Sequence, residues 1–554
     1  MFVDDLSVWI TDTSLKAAEL RLQEAVNAVV EWSTTNKMKL NVSKSEATFF
    51  SNCSAESKWR PSITIGNRQM PYNENPKFLG VRLDRTITFN RQVETVRAKL
   101  KKKNGIISSL CNQNWGWRKK NARSLYFTTQ RSILDYAAGG WHPWLSKTNM
   151  DKLDAAQNEA LRRITGQASS TPLESLRLEA GVQSYHSRSK YLSATSYEKA
   201  IRLPANHPRK IASLSGPPKR LKRNHWKLQG ETIHEEYSEL KEYRPFSTAP
   251  EPPWERQSSN WKIDLGTKDV AATNEFIRRN NATYTIFTDG SASEGTKDGG
   301  SAVVVTTGTQ EDTNVVATLK LRGRLLTSSY EEERTAMLAA VQWISTEATP
   351  VDSVLICTDS LSLLQAMKSH SADTSGIRQL LNLAGCQIIV RWVPAHRGIE
   401  GNELADQAAK AAADDRSQMP QPTSLSGAAS LLRRVCTDDA PSHQRTALVY
   451  SNLSHNLDNL EIKSRKDAVT LARLRSGHSY LLAAYRNLMN PQVDPICSIC
   501  REEAQTVEHW LLSCPGTMRH RQELFGTTHV GLDVMTLEPT KTIALARRTL
   551  SYSA

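Results

Sequence analysis

The chain has 554 residues, a mean hydropathy of −0.49 and a formal net charge of +14. At about 150 residues per domain, this length predicts three or four domains. No apolar run approaches the ~18 residues that span a bilayer, the opening MFVDDLSVWI lacks the basic start of a secretory signal, and eight Cys are too few for a disulfide scaffold. The cationic surplus points to an acidic partner, nucleic acid first, with a solvated basic surface as the alternative.

Residues 1–90 read as mixed α/β. A helix is predicted over 14–33, where Leu15, Ala18, Leu22, Ala25 and Val29 share one face. Short strands follow near 47–51 and 78–83. Residues 91–202 read as mostly helical. In LDAAQNEALRRITG, Leu153, Ala156, Gln157, Ala160, Leu161 and Ile164 fall at helical spacing, and Gly166 sits where a C-terminal cap belongs. Residues 203–280 read as a basic, Pro-rich linker. From 202 to 227 there are eight Lys or Arg and no acid, and PPKRLKR (217–223) and STAPEPPWE (247–255) lie in this stretch. Such a run serves nucleic-acid backbone contact, nuclear import or simply solvation.

Residues 281–415 alternate between strand and helix patterns. TYTIFTDG, SAVVVTT, SVLICTDS and QIIVRWV read as strands, and SSYEEERTAMLAAVQWI and NELADQAAKAAA as helices. This predicts an α/β sandwich of sheet and helices. Residues 416–554 read as a helical region with a Cys/His cluster near the end.

Asp289 and Asp359 each end a strand pattern. Glu333 lies in the first turns of a helix whose buried stripe is Ala336, Met337, Ala340 and Ile344, and Asp406 lies on the last helix. Singly, each acid reads as a surface carboxylate or a cap. Together they would repel one another unless cations bind, and hard oxygen ligands suit Mg²⁺ or Mn²⁺. Two such ions about 4 Å apart can activate a water and stabilise a leaving 3′ oxygen. His396, ten residues before Asp406, is placed to shuttle a proton.

TDGSASEGTKDGGSAVVV, SSYEEERTAML, TDSLSLLQAM and VPAHRGIEGNELADQAAK resemble the four motifs of type 1 ribonuclease H. The resemblance implies a five-stranded mixed sheet with flanking helices and Mg²⁺-dependent cleavage of RNA in RNA–DNA hybrids. It maps the metal-binding carboxylates to Asp289, Glu333, Asp359 and Asp406, and the family's mobile histidine to His396. Glu331 and Glu332 precede Glu333; choosing Glu333 turns the small Ala336 and Ala340 inward. Only 37 positions separate Asp359 from His396, too few for the basic protrusion by which some relatives grip hybrid.

FVDD with Asp4 and Asp5, MKLNVSKSEATFF (38–50) with Lys44, and KFLGVRLD (77–84) with Phe78, Leu79 and Gly80 follow one another. Their order resembles the reverse transcriptases of non-LTR retrotransposons. The resemblance implies that Asp4 and Asp5 are palm acids, with the other metal-binding acid, fingers and template grip lying upstream. No DNA polymerase activity is therefore expected from this chain, which reads as a 5′-truncated retrotransposon product. ILDYAAGGWHPW, AAQNEALRRITG and TPLESLRLEAG resemble the helical region after the palm, with thumb or connection character.

Cys497, Cys500, His509 and Cys514 have the spacing of a closed tetrahedral zinc site, in which VEHWLLSC can set His509 and Cys514 about one helical turn apart. Buried structural thiols are the alternative. Five further Cys, at 53, 111, 357, 386 and 436, have no ligand spacing. The cluster resembles the cysteine–histidine motif at the far end of many non-LTR polyproteins, and Zn²⁺ there would fold a small domain touching RNA or DNA. The expected whole is a multidomain α/β chain that hydrolyses RNA in RNA–DNA hybrids, in nucleus or cytoplasm. The competing expectation is a nucleic-acid-binding relic without catalysis.

Overall fold

The computed structural model describes residues 6–215, 227–245, 260–293, 297–308, 314–350, 352–437, 444–451 and 462–550. They divide into two compact units. One joins the chain up to residue 189 with the chain from 438 onward; the other is residues 190–437.

The first unit opens with helix α1 (Leu15–Thr35), capped by Ser14, whose hydroxyl accepts the Ala17 N–H. The strand expected at 47–51 is reduced to a single bridge between Ala47 and Tyr72. Near 78–83 a small hairpin forms instead of a longer strand. Lys77–Phe78 pairs antiparallel with Val81–Arg82 around Leu79 and Gly80, whose φ values of 43° and 86° are those of a type I′ turn. Asp4 and Asp5 lie outside the described residues, and Lys44 is exposed in a turn. Helix α2 (Asn90–Leu110) buries Val93, Val96, Leu100 and Ile107 and packs on α3 (Lys147–Thr165). Gly166 ends α3 at φ 70° and returns its N–H to the Arg162 carbonyl at 2.9 Å.

The second unit centres on a mixed sheet of β1 (Trp261–Asp264), β2 (Tyr284–Ser293), β3 (Lys297–Thr307), β4 (Asn314–Arg322), β5 (Ser353–Thr358) and β6 (Gln387–Trp392). Its spatial order is β1-β6-β5-β2-β3-β4. The pairs along β1-β6-β5-β2 are parallel; β3 and β4 are added antiparallel. Six strands replace the five expected. The extra one, β1, comes from the stretch read as linker, which also holds helices Pro208–Leu214, Leu228–Glu236 and Val270–Arg279. Four residues give too short a pattern to stand out. They become a strand because β6 offers an open edge, with Ile388 opposite Trp261, and because Asp264 pairs with Arg391. PPKRLKR and STAPEPPWE both fall outside the described residues.

Helices cover both sheet faces. On one, α4 (Ser329–Glu347) packs Met337, Ala340, Val341 and Ile344 against Ile286, Val303, Val305, Val354 and Ile356. On the other, α5 (Glu400–Asp414) brings Ala405 to Phe287, Val304, Leu355 and Cys357. The alternation of odd and even residues between the two clusters is the period of a strand.

Beyond residue 438 the chain completes the first unit with α6 (Arg465–Ser476). Arg465 donates to the carbonyls of Ile164 at 2.6 Å and Arg163 at 2.9 Å, capping the end of α3. Glu179 is 2% exposed and receives Lys119 Nζ at 3.0 Å, Arg475 at 3.0 Å and the Tyr450 hydroxyl at 3.1 Å. Burial raises its carboxyl pKa, but Lys119 and Arg475 outweigh this and hold it below the usual range. Glu179→Ala leaves Arg475 buried without a counter-charge. We expect a loss of about 3–5 kcal/mol in denaturant unfolding of this unit; a loss under about 1 kcal/mol would show that the network is dispensable.

Candidate active site and metal centre

The register of the parallel strands builds the site. Thr288 on β2 stands opposite Thr358 on β5. The next residue of each chain is an acid, so Asp289 and Asp359 stand side by side at one height. Both share a side with Phe287 and Cys357, by strand alternation. Glu333 arrives from α4, about one and a half turns in from its cap at Ser328, whose hydroxyl accepts the Glu331 N–H. Gly290 allows this approach. A Cβ there would lie 2.1 Å from the Glu333 nitrogen, so any larger residue would push α4 away.

Ligand oxygens of Asp289, Glu333 and Asp359 all lie within 4.8 Å of one another. Asp289 and Glu333 are buried, and Glu333 Oε2 has no hydrogen-bond partner. The Asp289 carboxyl is pushed up to about 6, by burial first and then by the charges of Asp359 and Asp406. Glu333 is raised well above its ordinary range, again by burial first and then by Asp289 and Asp359. An orphaned buried oxygen amid crowded carboxylates is the donor set that a hard divalent cation satisfies.

Asp406, on α5, is not one of the three clustered acids. Its carboxylate accepts Lys410 Nζ at 2.7 Å and lies 3.9 Å from His396 Nδ1. His396 has φ +50° on the loop after β6, and its side chain is 69% exposed. The three successive glutamates have three environments. Glu331 pairs with Arg334. Glu332 is fully buried and accepts from Ser301 Oγ at 2.8 Å and Arg324 at 3.2 Å. Glu333 alone faces Asp289. The residue that sequence reasoning missed is Asn402, 1% exposed, which donates Nδ2 to Asp359 Oδ2 at 3.2 Å. Its signal was its place one helical turn before Asp406, on the same face.

These shifts carry a pH prediction. Asp289 binds its proton more tightly folded, near 6, than at its ordinary 3.8. Its contribution to stability is therefore complete below about pH 4 and is lost as pH rises through about 6. In metal-free protein, the stability of wild type relative to Asp289→Asn should fall by on the order of 2 kcal/mol between pH 4 and 7. Denaturant titrations at several pH values check this. A difference independent of pH would contradict it.

The first unit holds a second cluster. Ligand atoms of Cys497, Cys500, His509 and Cys514 also lie within 4.8 Å of one another. Cys497 Sγ and Cys514 Sγ are 3.9 Å apart, and Cys500 Sγ is 3.2 Å from His509 Nε2. His509 Nδ1 meets Glu503 at 3.0 Å, which orients the ring with Nε2 toward the sulfurs. The turn carrying the last two ligands is a π-helix, His509–Ser513, rather than the α-helix expected. Cys514 N–H reaches the His509 carbonyl at 2.7 Å. Residues five apart diverge around an α-helix; the wider π turn returns them to one side. Burial raises the Cys500 thiol, but the Glu502 N–H and His509 outweigh it and hold the thiol below its usual value, whereas burial and then Cys500 push Cys514 up. Three thiols and an imidazole gathered in this way are compatible with zinc.

The RNase H family model matches residues 281–414. The chain is similar to the RNA-directed DNA polymerase from mobile element jockey of Drosophila funebris, at 26% identity over 174 residues, 30% of this chain and 18% of that protein. The counterpart from Drosophila melanogaster is 25% identical over 171 residues, with the same shares. The match spans about a fifth of the length of these relatives. Similar solved structures include RNase H1 from the halophilic archaeon Halobacterium salinarum, at 20% identity over 24% of this chain and 98% of that one, with a TM-score of 0.20. LC11-RNase H1 in complex with RNA/DNA hybrid is 16% identical over 24% and 99%, with a TM-score of 0.21.

Residues 281–414 are a ribonuclease H domain, as their motifs, the mixed sheet and the family match agree. That domain comes with reverse-transcriptase relatives of mobile elements. Together these matches support the resemblance to non-LTR retrotransposon polyproteins that combine reverse transcriptase with ribonuclease H.

Proposed function

We propose that the chain hydrolyses the RNA strand of RNA–DNA hybrids endonucleolytically, with Asp289, Glu333, Asp359 and Asp406 holding Mg²⁺ or Mn²⁺. The supporting observation is the convergence of three carboxylates, one with an unpartnered buried oxygen, where the middle of β2 lies beside the end of β5. When bound, the divalent ions supply a more acidic water and positive charge near the leaving oxygen.

The chain's own residues do the rest. Asp289 and Asp359 are fixed by the sheet and need not reorganise when a cation binds. Asn402 holds the Asp359 carboxylate through Oδ2. Glu333 is locked by the first turns of α4, themselves pinned by Glu332 on Arg324 and Ser301. In the reaction, a water oxygen attacks phosphorus and the bond to the 3′ oxygen breaks. The product ends are a 5′ phosphate and a 3′ hydroxyl. His396, exposed beside Asp406, takes or delivers the proton this exchange requires. Zinc at Cys497, Cys500, His509 and Cys514 would be structural, because four protein ligands leave no open position.

The test is cleavage of an end-labelled hybrid by purified protein, with Mg²⁺ and then with EDTA. RNA cleavage only with the metal is the expected result. A folded protein that binds hybrid without cutting it would replace this reading with that of a binding relic.

A further inference from the structure

The chain from 95 to 134 contains ten Lys or Arg and no Asp or Glu. Most of this charge faces solvent. Lys99, Lys101 and Lys102 lie on the open face of α2, and Arg118 and Lys120 follow it, all exposed. Among the described residues, none of these five has a carboxylate partner. A row of cations alone would be a solvated helix face. What stands at its end makes it different.

α2 runs directly into a tight hairpin. Cys111 bridges Gly116 antiparallel, the Asn112 N–H donates to the Trp115 carbonyl at 3.0 Å, and the Trp117 N–H donates to the Leu110 carbonyl at 2.8 Å. Gly116 has φ +111°, and a Cβ there would lie 2.2 Å from the Leu110 oxygen, so the hairpin closes only with glycine. Arg465 on α6 grips the Asn112 carbonyl at 3.0 Å, anchoring the hairpin to the body of the unit. On this ordered support Trp115 is 60% exposed and Trp117 41% exposed. Two indoles are thus held in water rather than folded away, within a stretch of sequence that carries cations and no anions.

We infer that this hairpin and the solvent face of α2 form a binding platform for single-stranded nucleic acid. The phosphates would follow Lys99, Lys101 and Lys102, and unpaired bases would stack on Trp115 and Trp117. From Lys102 to the end of α2 the helix rises about 12 Å, so one short strand can reach both the cations and the indoles. A single strand fits better than a duplex, because an indole needs an open base face and a duplex offers one only at its ends. A protein partner would require carboxylates to meet the surrounding cations; a nucleic acid brings a charge with every nucleotide. This platform lies in the first unit, outside residues 281–414, and does not depend on the ribonuclease reading.

Fluorescence anisotropy on the full chain tests it, with labelled oligouridylate and oligothymidylate beside a blunt duplex of equal length. Trp115→Ala should weaken single-strand binding by about five- to a hundredfold and duplex binding little. Trp115→Phe should retain most of the affinity. Lys101→Ala with Lys102→Ala should lower the salt slope for single strands by about 1.4. Asp359→Asn should bind single strands as wild type does, which separates this site from the ribonuclease. Circular dichroism establishes that each variant is folded. Unchanged affinity in the Trp and Lys variants would overturn the proposal. Equal losses for duplex and single strand would overturn stacking, and so would self-association that disappears in Trp115→Ala without any effect on nucleic acid.

Discussion

Asp359→Asn is expected to leave the ribonuclease H domain folded and to lower hybrid cleavage by about 10³-fold or more, equivalent to several kcal/mol of lost metal-centred stabilisation. The two side chains have the same shape, so the Asn402 contact at Oδ2 has an isosteric oxygen to return to. The charge does not survive, and it is the charge that a divalent cation needs. Relieving one carboxylate beside Asp289 and Glu333 also removes repulsion. The melting temperature should therefore hold or rise while activity disappears. Activity within tenfold of wild type would remove Asp359 from the catalytic set.

The second large effect concerns the Cys/His cluster. Cys514→Ser, or a strong chelator, is expected to release one zinc per chain and to melt the C-terminal part of the first unit. Trp510 and Leu511, on the π turn between two ligands, are fully buried with Tyr450, Leu474, Tyr485 and Leu545. Loosening the turn withdraws both from that core. The Trp510 indole also gives up Thr549, which it meets at 2.8 Å. Structural zinc contributes an apparent ~10–16 kcal/mol in isolated finger peptides. A part of that suffices to lower the melting point by about 10 °C or more in a unit of this size. Metal content by native mass spectrometry, read beside thermal unfolding, decides the matter. A chain that carries no zinc and melts unchanged in chelator would return these four residues to the status of buried thiols.

Much of the ribonuclease H domain was legible because its central strands are continuous apolar runs. Tyr284–Thr288 and Ser353–Thr358 announce themselves by β-branched residues and each is followed by an acid, although the first strand continues past Asp289 to Ser293. Among three consecutive glutamates, the small Ala336 and Ala340 one turn apart pointed to Glu333, and Glu333 is the one beside Asp289. The edges of the sheet were harder to read. Asn314–Arg322 shows only a half-buried alternation of Ala317, Leu319 and Leu321. Trp261–Asp264 has too few residues for any period, and only its parallel partner makes it a strand. Asn402 carried only the faint signal of its place one turn before Asp406, because its value lies in burial against Asp359, which is a tertiary fact. The π turn at His509–Ser513 was invisible for another reason: five-residue spacing favours no regular helix, and the wider turn follows from what its ends must reach. Least legible of all was the union of distant segments in the first unit, where Val469 fills the space over Gly166 and Arg475 meets Glu179.

That union sets a timetable for synthesis. Arg475 follows Glu179 by 296 residues, so at about 5–20 residues per second the ribosome needs roughly 15–60 s to deliver the partner. During this interval α2 and α3 wait with an unfinished apolar surface and with the Glu179 carboxylate lacking one of its two cations. The whole ribonuclease H domain emerges in the same interval and has time to fold before the first unit can close. A premature stop between residues 415 and 475 would thus leave the ribonuclease H domain complete while exposing its unfinished neighbour to chaperones and proteases.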